Sequence, residues 1–159
     1  MDTEQRPGFV LGFDPGVNGS FAVISADGLA AEVHDFKGAP ELCAELGALG
    51  KRLPPSTPCE VAMIEKVGAM PKQGVASTFK FGRSYGEIIG VVAAHKLRMD
   101  FVPPGVWKRT FGLSKDKDAS RLKAMELFPQ LRDRLTRKKD HNRAEALLIA
   151  EYARRAGAA

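Results

Sequence analysis

Cysteine is nearly absent from this 159-residue chain, which has only Cys43 and Cys59. Neither stands in a CxxC pair or beside a pair of histidines, so a zinc site of ordinary spacing is excluded. With no secretion signal a disulfide is not expected, and both read as ordinary thiols of a cytoplasmic protein. Long apolar runs are missing too. No stretch approaches the roughly 18 residues of a membrane span, and Met1–Pro7 is polar, without a signal-peptide core, and reads as a short disordered lead-in. Acidic charge is scarce in one part of the chain. Residues 101–159 hold 14 Lys and Arg against 7 Asp and Glu, whereas residues 1–100 hold 10 against 12. A net of +7 on one part of a small chain points to a polyanionic partner, most simply nucleic acid, with a merely soluble basic surface as the alternative.

The chain is long enough for one domain with a proper core and too short for two ordinary ones. It carries no internal repeat and no low-complexity tract. Its organising stretch is Phe9–Ile24. An apolar run, Phe9-Val10-Leu11-Gly12-Phe13, has the composition of a buried strand and ends on Asp14. Pro15-Gly16-Val17-Asn18-Gly19-Ser20 is dense in turn formers, and Phe21-Ala22-Val23-Ile24 returns as a second strand. Ala26-Asp27-Gly28 turns the chain into a third strand at Ala30–Phe36. A helix from Gly38-Ala39-Pro40 to about Gly50 follows. Glu60–Glu65 then reads as a short buried strand, again ending on an acid. The helical crossover lets it lie parallel beside the first strand, which would bring Glu65 next to Asp14.

After a loop over Lys66–Gly74, a long helix is predicted over Val75–Leu97. Gly82, Gly86 and Gly90 share one face of it, a face suited to close approach by the sheet or by a partner subunit. Met99–Val102 reads as a fifth strand, Gly105–Thr110 as a helical turn with Trp107 in the core, and Lys115–Phe128 as a helix. The basic run Leu131–Lys139 leads into Asp140-His141-Asn142-Arg143-Ala144-Glu145 and a buried last helix to about Arg155, with Asp140 or Asn142 as its N-cap. The fold class expected is therefore α/β. Its sheet is five-stranded and mixed, three antiparallel strands then two parallel, and helices flank it.

This arrangement gathers Asp14, Glu65 and Glu145 at one edge of the sheet, with Asp140 and His141 just before the last. Each also has a plainer reading, as turn opener, strand end, helix-dipole partner, cap and surface histidine respectively. Converging carboxylates repel one another and persist chiefly when cations neutralise them. Oxygen ligands suit Mg²⁺ or Mn²⁺. Two such ions are a standard device for phosphodiester cleavage.

The segments GFDPGVNGSFAVI, VAMIEKV, FVPPGVWKRTFGL and KKDHNRAEALLIAEYARR resemble, in order and over about residues 8–155, the motifs of the RuvC-type Holliday junction resolvases, especially the phage-borne branch. The resemblance implies an RNase H-like fold over a single nuclease domain, residues 8–156, and a homodimer. It also implies metal-dependent cleavage of four-way DNA junctions by paired symmetric nicks, with two ions per site, Mg²⁺ or Mn²⁺ in its place. By that resemblance Asp14, Glu65 and Glu145 are metal ligands, and Lys108 and Lys117 approach the scissile strand. Two positions depart from the family. Asn142 stands where an Asp or His is common, which leaves Asp140 or His141 to complete the site. Gly68 stands where some relatives carry an aromatic wedge, leaving Met70 or no wedge.

Lys66, Lys72, Lys80 and Arg83 follow Glu65 closely enough to contact phosphates. Lys108, Arg109, Lys115 and Lys117, and then Arg137, Lys138 and Lys139, extend the candidate DNA-binding surface. Phe79, Phe81 and Tyr85, interleaved with the first group, suit core or dimer packing better than base stacking. Neither a membrane nor a small-molecule substrate is implied. Two other readings stay open, a non-catalytic DNA-binding module of the same fold and a nuclease for RNA–DNA hybrids. An actin-type ATP-binding fold needs two such lobes, and the chain has length for one.

Overall fold

A computed structural model of the chain describes residues 7–158. Apart from Pro7, the expected lead-in lies outside the described residues. Five strands, β1 (Phe9–Asp14), β2 (Gly19–Ser25), β3 (Ala31–Phe36), β4 (Cys59–Glu65) and β5 (Met99–Val102), form one sheet in the order β3-β2-β1-β4-β5. β1, β2 and β3 pair antiparallel, while β4 lies parallel to both β1 and β5. This is the mixed topology expected from the sequence. Helix α1 (Gly38–Arg52) makes the crossover from β3 to β4.

Because side chains alternate along a strand, β1 divides its residues between two cores. Phe9, Leu11 and Phe13 join Leu42, Leu46 and Leu49 of α1 and Ile88 and Val92 of α2 (Val75–Ala94) on one face. Val10 turns to the other face, with Val61 and Met63 of β4, and so do Gly12 and Asp14 by the same alternation. That face is covered by α3 (Pro104–Thr110), α4 (Lys117–Leu127) and α5 (His141–Ala158).

The centre of α5 is buried all round, from Ala144 through Glu151, as befits a helix packed on more than one side. Its alanines let its backbone ride on β1 itself. A Cβ at Gly12 would stand 2.5 Å from the Ala146 carbonyl oxygen and 2.8 Å from Ala150 Cα, so no larger residue fits there.

Several boundaries differ from expectation by a turn. α2 stops at Ala94, short of Leu97, because Lys96 takes a left-handed φ of 57° and the Leu97 N–H reaches back to the Val92 carbonyl, which closes the helix end. α4 starts at Lys117, two residues later than Lys115. There the Asp116 carboxylate accepts a bond from the Asp118 N–H at 2.9 Å, making Asp116 the cap. The basic run is built of two 3-10 turns, Pro129–Arg134 and Lys138–Asp140. Gly82, Gly86 and Gly90 meet no sheet. A Cβ at any of them would find nothing within 4 Å, and Val75 and Phe79 on the same helix are exposed. No helix among the described residues is long and apolar enough to cross a membrane.

Candidate active site

The same alternation that buries Val10 and Gly12 beneath α5 puts Asp14 at the α5-facing end of β1. In β4, Val61, Met63 and Glu65 share that face. Phe13 pairs with Ile64, so the two acids stand at adjacent strand ends. Gly12 packs against Ala146, which sets Glu145 of α5 over the same sheet edge. Three carboxylates far apart in sequence are thereby gathered by strand register and one close helix contact.

Asp14 is buried. Burial, and then the charges of Glu145 and Glu65, hold its carboxyl well above the ordinary aspartate value; Lys108 and Lys117 pull the other way. Glu65 is also raised, first by burial and further by Glu145, against a hydrogen bond from Trp107 and the charge of Lys108. Lys108 Nζ lies 3.8 Å from Glu145 Oε1. Asp14, Glu65, Glu145 and Lys108 lie within reach of one another's charges, and Lys117 also reaches Asp14.

No group of three or more His, Cys, Asp or Glu side chains among the described residues closes to the spacing of a finished ion cage. Glu65 Oε2 accepts a bond from Trp107 Nε1 at 2.8 Å, and Glu145 Oε1 lies 3.8 Å from Lys108 Nζ. The donor chemistry nonetheless fits a hard cation. It offers carboxylate oxygens, those of Asp14 in a buried setting.

Asp140 does not join the three. It is buried just before α5, where its carboxylate accepts bonds from the Arg137 backbone N–H at 2.9 Å and from Arg137 Nη2 at 2.8 Å, with Arg143 Nη1 at 3.5 Å. Burial raises its pKa, but these partners outweigh it and the net shift is downward. His141 opens α5, with its Nδ1 3.0 Å from the Lys138 carbonyl. It lines a shallow cleft with Asp116, Lys117, Asp118, Lys138 and Lys139. Asn142 donates from Nδ2 to the Asn18 carbonyl at 2.9 Å and ties the β1–β2 turn to α5.

Of the basic candidates, Lys66, Lys72, Lys80, Arg109, Lys115, Lys138 and Lys139 are exposed. Arg83 is paired with Glu87 at 2.9 Å, and Arg137 is committed to Asp140. Two interactions had no signal in the sequence. One is the Trp107–Glu65 bond, since an indole in an apolar turn reads as core. The other joins Arg143 of α5 to Asp35 of β3, where Arg143 Nε donates at 2.9 Å and Ser20 Oγ donates to the same carboxylate at 2.9 Å.

No protein-family model matches the chain. Its sequence is 35% identical, over 112 residues and 67% of its length, to the chloroplastic Holliday junction resolvase MOC1 of Chlamydomonas reinhardtii, of which it spans only 13%. The structure is similar to that of T. thermophilus RuvC in complex with a Holliday junction substrate, with a TM-score of 0.66 at 17% identity, covering 95% of this chain and 96% of that one. It is also similar to the yeast mitochondrial Holliday junction resolvase Ydc2, with a TM-score of 0.57 at 16% identity, covering 99% and 84%. These likenesses do not single out the phage-borne branch. The sheet order, the helices on both faces and the agreement over nearly the full length give this chain the same fold as RuvC.

Proposed function

We propose that this protein is a metal-dependent endonuclease that resolves four-way DNA junctions by paired nicks, through one nuclease domain over residues 8–156. One observation carries the reading. Asp14 is a buried carboxylate within reach of the charges of two more carboxylates and two lysines. Such a group is costly unless a cation meets it. The names borne by the algal relative and by the two similar structures support DNA junctions as the substrate.

Asp14, Glu65 and Glu145 would hold the ions, two per site, Mg²⁺ with Mn²⁺ able to replace it. Bound there, the ions supply a Lewis acid that activates water and stabilises the leaving oxygen. Lys108 and Lys117 offset the charge that grows on the phosphoryl oxygens in the transition state. Asp140 serves instead to fix the start of α5 through Arg137 and Arg143. His141 belongs to the DNA-facing cleft with Lys117, Lys138 and Lys139. Lys66, Lys72, Lys80, Arg109 and Lys115 contact backbone phosphates, which position a duplex without reading its sequence.

A four-way junction has two-fold symmetry, and a C2 homodimer offers one acidic site to each of two opposed strands. The uncovered face of α2, with Phe79, Gly82, Gly86 and Gly90, is the contact best suited to a second copy.

A second reading has one observation in its favour. Glu65 and Glu145 already have partners in Trp107 and Lys108, as a non-catalytic DNA-binding module would allow. Incubation with a synthetic immobile four-way junction, its linear duplex and an RNA–DNA hybrid, with and without Mg²⁺, decides the matter. Paired nicks on the junction alone, only with metal, are expected. Tight junction binding without nicks under Mg²⁺ or Mn²⁺ favours the module, and cutting of the hybrid alone overturns the substrate.

A further inference from the structure

Trp107 is the only tryptophan in the chain, and its side chain is fully buried. The path that brings it to the acids is short. Glu65 ends β4 beside Val102 of β5, and the Lys66 N–H bonds the Val102 carbonyl at 2.8 Å. Pro103 then turns the chain into α3, whose single buried residue, Trp107, points its indole N–H at Glu65 Oε2, 2.8 Å away. The next residue, Lys108, carries its Nζ 5.3 Å from the centre of the same ring and 3.8 Å from Glu145 Oε1. One ring thus touches the Glu65 carboxylate with its edge and the Lys108 ammonium with its face.

The chemistry of the donor matters. An arginine or lysine at this place would orient Glu65 but cancel its charge. A hydroxyl could turn and act as donor or acceptor. An indole N–H only donates, does not titrate and is not a metal ligand. It fixes one carboxylate oxygen and leaves the charge and the second oxygen to something else.

We infer that Trp107 is a positioning residue of the acidic site, orienting Glu65 for a divalent cation through its N–H and carrying Lys108 toward Glu145 on its ring. This rests on the reading of the acids as a cation site.

Two replacements test it: Trp107→Phe, and benzothienylalanine at 107, which keeps the two-ring shape but lacks the N–H. Affinity for Mn²⁺ is measured by calorimetry on the full chain without DNA. Binding about 10-fold weaker or more is expected in both, the usual loss when a group that orients a ligand is removed. Junction affinity in EDTA should hold while kcat falls. The benzothienyl variant keeps the test sound if Trp107→Phe does not fold.

The parent gives an independent readout. Tb³⁺ bound at Glu65 should show saturable emission sensitised by Trp107, displaced by Mn²⁺ and lost in Glu65→Gln. If the parent binds Mn²⁺ and nicks junctions while both variants bind Mn²⁺ as tightly as it does, the positioning role is overturned and the nuclease reading stands. If the parent binds no Mn²⁺ and makes no nicks, the nuclease reading fails and takes this inference with it.

Discussion

The missing side chain of Gly12 and the backbone of Ala150 occupy the same space: a Cβ added to Gly12 would fall 2.8 Å from Ala150 Cα and closer still to its amide nitrogen. The clash is with backbone, so no rotamer change relieves it, and α5 must rise from the sheet. Gly12→Ala should therefore destabilise the protein by about 1–3 kcal/mol, the usual cost of overpacking. It should also lower cleavage, since Glu145 rises with the helix. Urea unfolding and junction nicking by the same preparation check both effects.

Burial first, then the charges of Glu145 and Glu65, raise the Asp14 carboxyl well above its ordinary value near 3.8. A carboxyl raised in the folded state favours folding most below its ordinary value, and that advantage is lost as pH climbs through the folded-state value. Without metal, Asp14→Asn should then melt higher than the parent at neutral pH, with the gap closing as pH falls toward the ordinary aspartate range. Thermal melts in EDTA across pH measure this. Nicking by the variant should fall to background while junction binding survives.

Lys108 sits within 3.8 Å of Glu145, and the charges of Lys108 and Lys117 both reach Asp14. Lys108→Met should reduce kcat by about 10²–10³, the scale for losing one group that stabilises transition-state charge, with junction affinity little changed. Lys117→Met should act in the same direction. Single-turnover nicking at saturating enzyme separates this from a loss of binding.

Lys138 and Lys139 are exposed on the cleft that also holds Lys117 and His141. Replacing both with Ala should weaken junction binding uniformly across sequences. It should also flatten the salt dependence, by about one unit of log–log slope for each phosphate no longer neutralised. Affinity measured across a salt series gives the slope directly.

Gly86 meets nothing within 4 Å of a would-be Cβ. Gly86→Ala should leave the protomer intact and stiffen α2 by up to about 1 kcal/mol. Gly86→Glu should keep the protomer folded and abolish the proposed dimer. Sedimentation of both variants beside the parent reads the difference.

The strands are legible in the sequence because each is an apolar run closed by turn formers. Asp14 and Glu65 stand out as acids ending such runs, and β4 lies beside β1 as the crossover rule requires. Glu145 is legible from its place ahead of an apolar helix. The pairing of Asp140 is not, because it depends on a 3-10 turn of three residues that hands the carboxylate to Arg137, a local geometry that no periodicity announces. Trp107 reads as core and is indeed buried, yet its N–H finds an acid 42 residues away in sequence. The glycine face of α2 can be recognised from its spacing, but what it faces cannot. It does not face the sheet, because α2 packs there through Ile88 and Val92.

One amide joins the tip of the first hairpin to the opening turn of α5, from Asn142 Nδ2 to the Asn18 carbonyl. The tether sits three residues before Glu145 and four after Asp14. A displacement of that tip would therefore be felt at the start of the helix that carries Glu145 as well as at the end of the strand that carries Asp14.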